Sequence, residues 1–289
     1  MRTTPKCISC LRRQAHNTIG LATDNPTKLR QAKEKVEVYL EALAPTLSPP
    51  ENASGLYALI ARHTDCPDPY AHIKREENIL ALQLREQVKT RITESSDPLL
   101  TAIKYTAAGN IIDHGANHDF DQQKAMTDYQ THPFAINDLK GFRHELERAR
   151  TILYLADNCG EIVLDGLLAE RLSPGKEVVV AVRGGPVIND ATLADAHFCG
   201  LTKTLQVISN GCTCPGTPLA QCSQEFRNYF QTADLIISKG QGNFETLTAT
   251  KAPLYFLLTV KCQEVAHCLS SRTTAHTNIG DLVLHRARF

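Results

Sequence analysis

The chain carries no net charge, since 31 Lys and Arg residues balance 31 Asp and Glu residues over 289 positions. No large field is therefore available to gather nucleic acid or an anionic membrane around the molecule, and any anion site must be local. Long apolar runs are missing as well. The longest, Ala252 to Val260, falls far short of the roughly 18 residues that cross a bilayer, so no transmembrane helix is expected. The opening segment MRTTPKCISCLRRQ lacks the apolar core of about 7 to 15 residues that a secretory signal needs. A cytoplasmic location is the expectation that follows. In that compartment the ten cysteines are reduced thiols or metal ligands rather than a disulfide framework. What remains is an ordinary soluble, enzyme-sized composition, 42% hydrophobic and 21% charged, enough for one large domain or two modest ones.

The texture changes near Arg150. Before it the pattern is helical. Asn25-Pro26 supplies a capping side chain and a first-turn proline, and Leu29, Ala32, Val36, Leu40 and Leu43 then recur at helical spacing. Pro49-Pro50 breaks that helix, and further helices are expected over Leu56 to Ala61, His72 to Ile92 and Pro98 to Ala107. After Arg150, β-rich runs at Thr151 to Leu155, Glu177 to Val182, Thr204 to Ile208, Leu235 to Ser238 and Leu254 to Val260 alternate with helical segments such as Val163 to Arg171, Leu219 to Phe230 and Phe244 to Thr250. Apolar strands joined by helix-length crossovers imply an α/β fold, a mostly parallel, Rossmann-like sheet covered by helices on both faces. The expected division is a helical region over 1–149 and an α/β domain over 150–289.

Ligands of such sheets bind beyond the carboxyl ends of the strands. There the sequence places Asp157-Asn158-Cys159-Gly160-Glu161, then Arg183-Gly184-Gly185-Pro186-Val187-Ile188-Asn189-Asp190, then Lys239-Gly240-Gln241-Gly242-Asn243-Phe244-Glu245. Asp157 and Asn158 from one strand end with Asp190 from another could give a hard divalent cation a partial set of oxygen ligands, leaving water and a substrate phosphate to complete the shell. Gly160 and Gly242 stand where main-chain N–H groups at a helix start could face an anion, and Lys239 would add a point charge for a phosphate oxygen. Each motif alone also reads as a helix cap or a turn.

In combination these segments resemble the damage-control phosphatase family, the metal-dependent sugar-phosphate and phosphometabolite phosphatases formerly known only as a numbered domain of unknown function. A fourth segment, Ala108-Gly109-Asn110-Ile111-Ile112-Asp113-His114-Gly115, matches too, and Cys7-x-x-Cys10 ahead of helices is similar to the prokaryotic-type branch. The resemblance implies a helical N-terminal region on a Rossmann-like domain and a divalent metal (Mn²⁺, Ni²⁺, Co²⁺ or Mg²⁺) held by Asp157, Asn158 and Asp190. It implies that Lys239 contacts the phosphate while Asn110 and Asp113 approach the substrate from the helical side. Gly160, Glu161, Arg183, Asn189 and Asn243 are the further substrate-binding positions of the matching segments. The loop Gly211-Cys212-Thr213-Cys214-Pro215-Gly216-Thr217 departs from the small polar residues expected of this branch.

The expected activity is hydrolysis of a small phosphorylated metabolite. The alternatives are an S-adenosylmethionine-dependent methyltransferase, for which Asp157-Asn158-Cys159-Gly160 is a poor glycine loop, and a non-catalytic metabolite-binding or zinc-stabilised module. For the latter Cys7-x-x-Cys10 has half a zinc-site spacing, but Cys212-x-Cys214 is too tight to supply the other half. Cys159 has no histidine near it in sequence to act as its base and reads as a buried small residue. His114 and His118 have helical metal-ligand spacing, but the glycine and asparagine around them favour a loop.

Overall fold

The computed structural model describes residues 1–108 and 130–287. Five helices come first: α1 (Pro5–Ala22), α2 (Pro26–Glu41), α3 (Pro49–Thr64), α4 (Ala71–Glu94) and α5 (Pro98–Ala108). Four of them open on proline, whose missing N–H costs nothing in a first turn. The Thr4 hydroxyl caps α1, the Asn25 side chain caps α2, and Ser48 with Glu51 forms a capping box on α3. Helix α1 was not anticipated from the sequence. Helix α3 is longer than Leu56 to Ala61, because Pro49-Pro50 opens it rather than merely ending its predecessor.

The rest alternates: β1 (Phe134–Asn137), α6 (Leu139–Arg148), β2 (Thr151–Leu155), α7 (Glu161–Leu172), β3 (Glu177–Val182), α8 (Leu193–Phe198), β4 (Gln206–Ser209), α9 (Gln224–Thr232), β5 (Leu235–Lys239), α10 (Gln241–Leu247), β6 (Leu254–Thr259), α11 (Gln263–Arg272) and β7 (Leu282–Arg286). The seven strands form one sheet in the order β1-β7-β6-β5-β2-β3-β4. Every pairing is parallel except β6 with β7. β1, which precedes residue 150, joins this sheet beside β7.

Strand side chains alternate faces with period two. Ile152, Tyr154, Val178, Val180, Leu235 and Ile237 pack on one side with α4, α5 and α7. Leu153, Leu155, Val179, Ile236 and Phe256 pack on the other with Phe226 of α9, Phe244 of α10 and Leu269 of α11. Both faces are buried, which explains why the strands read as continuous apolar runs, and each buried Leu, Ile or Phe contributes about 1.5–3 kcal/mol. A third cluster joins α1, α2 and α3 through Leu11, Ile19, Val36, Leu56 and Ile60, and includes Val187 from the loop after β3. That contact sets the helical layer against the carboxyl ends of the strands. Among the described residues no helix is long and apolar enough to cross a membrane.

Candidate active site

β2 lies between β5 and β3, so the turns that follow these three strands meet at one end of the sheet. They are stitched by main-chain hydrogen bonds: Cys159 N to Asn189 O at 2.8 Å, Ala191 N to Asp157 O at 2.8 Å and Arg183 N to Ala191 O at 2.9 Å. Asn158 and Asp190 pair as an isolated bridge. Gly240, at φ +77, runs so close to Asp157 that a Cβ would fall 1.8 Å from its Oδ2. Only glycine allows both that backbone conformation and that approach.

Asp157, Asn158 and Asp190 line a cleft of about 530 Å³ between the strand ends and helices α1 and α3. Beneath them lies Arg183, 2% exposed. Its Nη2 donates to Asp157 Oδ1 at 3.1 Å and its Nε to Asp190 Oδ2. Its Nη1 donates to Asn243 Oδ1 at 2.8 Å, Gly216 O at 3.0 Å and Thr217 Oγ1 at 3.1 Å. The cysteine-bearing loop 211–217 thus forms part of the guanidinium's cradle. Burial, and then the charge of Asp190, push the Asp157 carboxyl well above the usual range against the pull of Arg183. Burial likewise raises Asp190, with Arg183 opposing.

A second buried cation lies on the other side of β2. Lys239 Nζ donates to Asp165 Oδ1 at 2.7 Å, Thr106 O at 2.9 Å and Glu161 Oε2 at 3.0 Å. Its three protons are committed, it is fully buried, and it does not line the cleft. Glu161 in turn accepts from Asn158 Nδ2 at 3.2 Å, which turns the amide oxygen of Asn158 away from Glu161. Burial raises Asp165 to about 6 while Lys239 pulls it down.

The other sequence-derived positions fall as follows. Gly160 takes φ +72, and its N–H donates to Asn78 Oδ1 on α4 at 2.8 Å, so this amide serves the helical layer rather than an open anion cradle. Asn243 is fully buried, with its Nδ2 on Lys239 O at 2.8 Å and Ala156 O at 3.2 Å. Asn189 lines the cleft and its Nδ2 lies 3.3 Å from Glu77 Oε2 on α4. Asn110 and Asp113, with His114 and His118, lie outside the described residues. Cys159 is buried, and burial followed by Asp195 raises its thiol pKa, which fits a small core residue better than an activated thiolate.

Two carboxylates and an amide oxygen at one cleft floor fit a hard divalent cation that keeps water and a phosphate oxygen in its shell. The raised carboxyls fit as well, since a cation there would relieve the repulsion of two buried like charges. Among the described residues no group of three or more His, Cys, Asp or Glu side chains is suited to a metal. The amide oxygen of Asn158 would complete such a set, and Cys7 and Cys10, which line the same cleft, have no zinc-site partners among the described residues.

The sequence pattern of the damage-control phosphatase ARMT1-like domain matches residues 3–276. The chain belongs to this family. It is 32% identical to a damage-control phosphatase of Pyrococcus horikoshii, over 92% of this chain and 93% of that one. It is 31% identical to one of Archaeoglobus fulgidus, over 98% of both. The crystal structure of a DUF89 family protein from Pyrococcus horikoshii superposes with a TM-score of 0.91 at 30% identity, covering 100% of both chains. Phosphatase chemistry is the activity that goes with the family.

Two contributions to this cleft escaped the sequence reading. Lys261, the second residue beyond β6, lines the cleft, and its charge bears on both Asp157 and Asp190. Applying the strand-end rule to the run Leu254 to Val260 would have found it. Helix α4 contributes Lys74, Glu77 and Asn78, all buried. Lys74 pairs with Asp195 at 3.0 Å and Asp68 at 3.3 Å, so α4 grips both the Asp157 turn and the segment after Asp190.

Proposed function

We propose that the chain is a divalent-metal-dependent phosphomonoesterase acting on a small phosphorylated metabolite. The observation that carries this reading is the convergence of Asp157, Asn158 and Asp190 on one cleft, each held from behind by a buried partner. Asp157, Asn158 and Asp190 would hold the cation, whose chemistry would be to polarise a phosphoryl oxygen and to make a water more acidic. Arg183 keeps the two carboxylates fixed without entering the cleft. Glu161 orients the Asn158 amide, and Lys239 acts through Glu161 rather than by touching phosphate. Lys261, on the cleft wall beside the carboxylates, supplies the positive charge that meets the substrate's phosphate and offsets charge developing in transfer. A neutral surface suits this, because one small anion is drawn by one local cluster.

The test is phosphate release from a panel of phosphomonoesters by chelator-stripped protein, alone and with Mg²⁺, Mn²⁺, Co²⁺ or Ni²⁺ restored. Release should appear only with added metal. Equal release from stripped and restored protein would overturn the metal assignment, and no release from any ester would overturn the activity.

A further inference from the structure

Three of the ten cysteines gather behind the cleft. Cys212, Cys214 and Cys222 share the apolar cluster of Phe226 and Phe244, and none of them lines the cleft. The main chain sets Cys212 beside Cys222. Ser223 N donates to Asn210 O at 2.9 Å, Cys212 N donates to Asn210 Oδ1 at 2.9 Å, and a Cβ on Gly211 would fall 2.7 Å from that of Ser223. Cys212 Sγ lies 3.7 Å from Gln221 Oε1, and its thiol hydrogen-bonds with those of Cys214 and Cys222. Cys214 is fully buried, with its Sγ 3.2 Å from Pro50 O, whereas Cys212 and Cys222 are each 4% exposed. Cys214 first, then Cys222, lower the Cys212 thiol by hydrogen bonding, with burial opposing and the charge of Arg183 assisting. A lowered thiol is the form that attacks an oxidant.

The same loop runs on to Gly216 and Thr217, which hold Arg183 Nη1, and it has no slack on the way. Gly184 N donates to Cys212 O at 2.9 Å. A Cβ on Gly184 would fall 2.5 Å from Cys212 N, one on Gly185 2.8 Å from Thr213 Oγ1, and one on Gly242 1.9 Å from Pro215 O. In so close a packing a shift at Cys212 is passed along to the guanidinium. We propose that a peroxide joins Cys212 and Cys222 in a reversible disulfide, and that this bond loosens Arg183 and weakens the cation site at Asp157 and Asp190. The Cys212 thiolate attacks a peroxide oxygen, so that the O–O bond breaks, an S–O bond forms and hydroxide leaves. Cys222 sulfur then displaces the sulfenic oxygen as water and forms the S–S bond. The hydroxide takes up the proton that Cys212 had released, so two thiols and one hydrogen peroxide give one disulfide and two waters, with two electrons passing from sulfur to oxygen. The consequence at the cleft rests on the metal-dependent phosphatase reading; the bond itself does not.

In the experiment, chelator-stripped full-length protein is treated with hydrogen peroxide and then freed of it. One part is digested for mass spectrometry, one is titrated with Mn²⁺ by calorimetry, and one is reduced with dithiothreitol before the same titration. The digest should contain the peptides of Cys212 and Cys222 cross-linked, two hydrogens lighter than the free pair. Affinity for Mn²⁺ should fall at least about tenfold on oxidation, as when a partner behind a metal ligand is lost, and return on reduction. Cys222→Ala and Cys222→Ser should bind Mn²⁺ within about threefold of the reduced natural chain and show no response to peroxide. A bond confined to Cys7 and Cys10, no bond at all, or a Cys212–Cys222 bond with unchanged affinity overturns the proposal, as does a peroxide response that persists in both variants. Should neither variant fold, the mapped bond and its reversal in the natural chain still decide. A reduced natural chain that neither binds Mn²⁺ nor releases phosphate removes the phosphatase reading, and the switch with it, even where the bond is found.

Discussion

Two buried cations flank β2, Arg183 just beyond β3 and Lys239 at the end of β5, and each is shared between two carboxylates. The chemistry is alike but the surroundings differ. The partners of Arg183, Asp157 and Asp190, line the cleft, whereas the partners of Lys239, Glu161 and Asp165, are sealed within the core. An ion pair with one side open to a cavity can exchange part of its compensation for an incoming cation. A closed one can only hold its neighbours in place. We therefore assign Arg183 to the binding site's charge balance and Lys239 to its scaffold, one residue removed from Asn158.

The largest effect should come from Asp157→Ala, which removes a proposed metal oxygen while Asp190 remains as the second carboxylate on Arg183. Phosphate release in saturating Mn²⁺ should fall by about a thousandfold or more, the equivalent of several kcal/mol of transition-state stabilisation. Release within tenfold of the natural chain would sever Asp157 from the chemistry.

The comparison of the two cations can be broken next. Arg183→Gln and Lys239→Met each strand buried carboxylates, and each should cost about 3–5 kcal/mol in urea denaturation of the metal-free protein. Saturating Mn²⁺ should recover most of the loss in Arg183→Gln, because the cation supplies charge at the same two carboxylates. It should recover little beyond its effect on the natural chain in Lys239→Met. Equal recovery in both would erase the distinction.

Asn78→Ala tests the grip of α4 on the first turn. It leaves the buried Gly160 N–H unpaired and should cost about 1–3 kcal/mol in the same denaturation assay. A loss below about 0.5 kcal/mol would mean that the amide finds another partner.

The smallest effect concerns Glu245, which lines the cleft beside Gln241 and is raised by burial from 4.5 to about 7, with the Gln241 hydrogen bond opposing. A carboxyl raised in the folded state keeps its proton there after the unfolded chain has lost it. Its contribution therefore falls as pH rises from 4.5 towards 7 and is level above that window. Glu245→Gln should flatten this part of the stability profile relative to the natural chain. Parallel profiles would show that Glu245 titrates normally.

Much of this arrangement was legible in the residues. The central strands announced themselves because both faces of the sheet are buried, and the polar turns after β2, β3 and β5 stand out against such apolar runs. Helix α1 went unread because Leu11, Ala15 and Ile19 are separated by Arg12, Arg13, His16 and Asn17, although Thr4-Pro5 is a fair start signal. β1 and β7 are four and five residues long, and one of them lies in a stretch otherwise read as helical. The roles of Arg183 and Lys239 were hidden for a different reason. Both stand in turns that resemble phosphate sites, and only folding shows which protons are already spent on Asp157, Asp190, Glu161 and Asp165. Asn78 could not be found by spacing at all, since its partner Gly160 lies 82 residues away.

The central claim is that Asp157, Asn158 and Asp190 together hold one divalent cation. Calorimetric titration of Mn²⁺ into the chelator-stripped natural chain and into Asp190→Asn tests it most directly. One equivalent should bind to the natural chain, and affinity should drop by at least about a hundredfold in the variant, since a carboxylate ligand is lost outright. Equal binding by the two proteins would contradict the site, as would no binding to either.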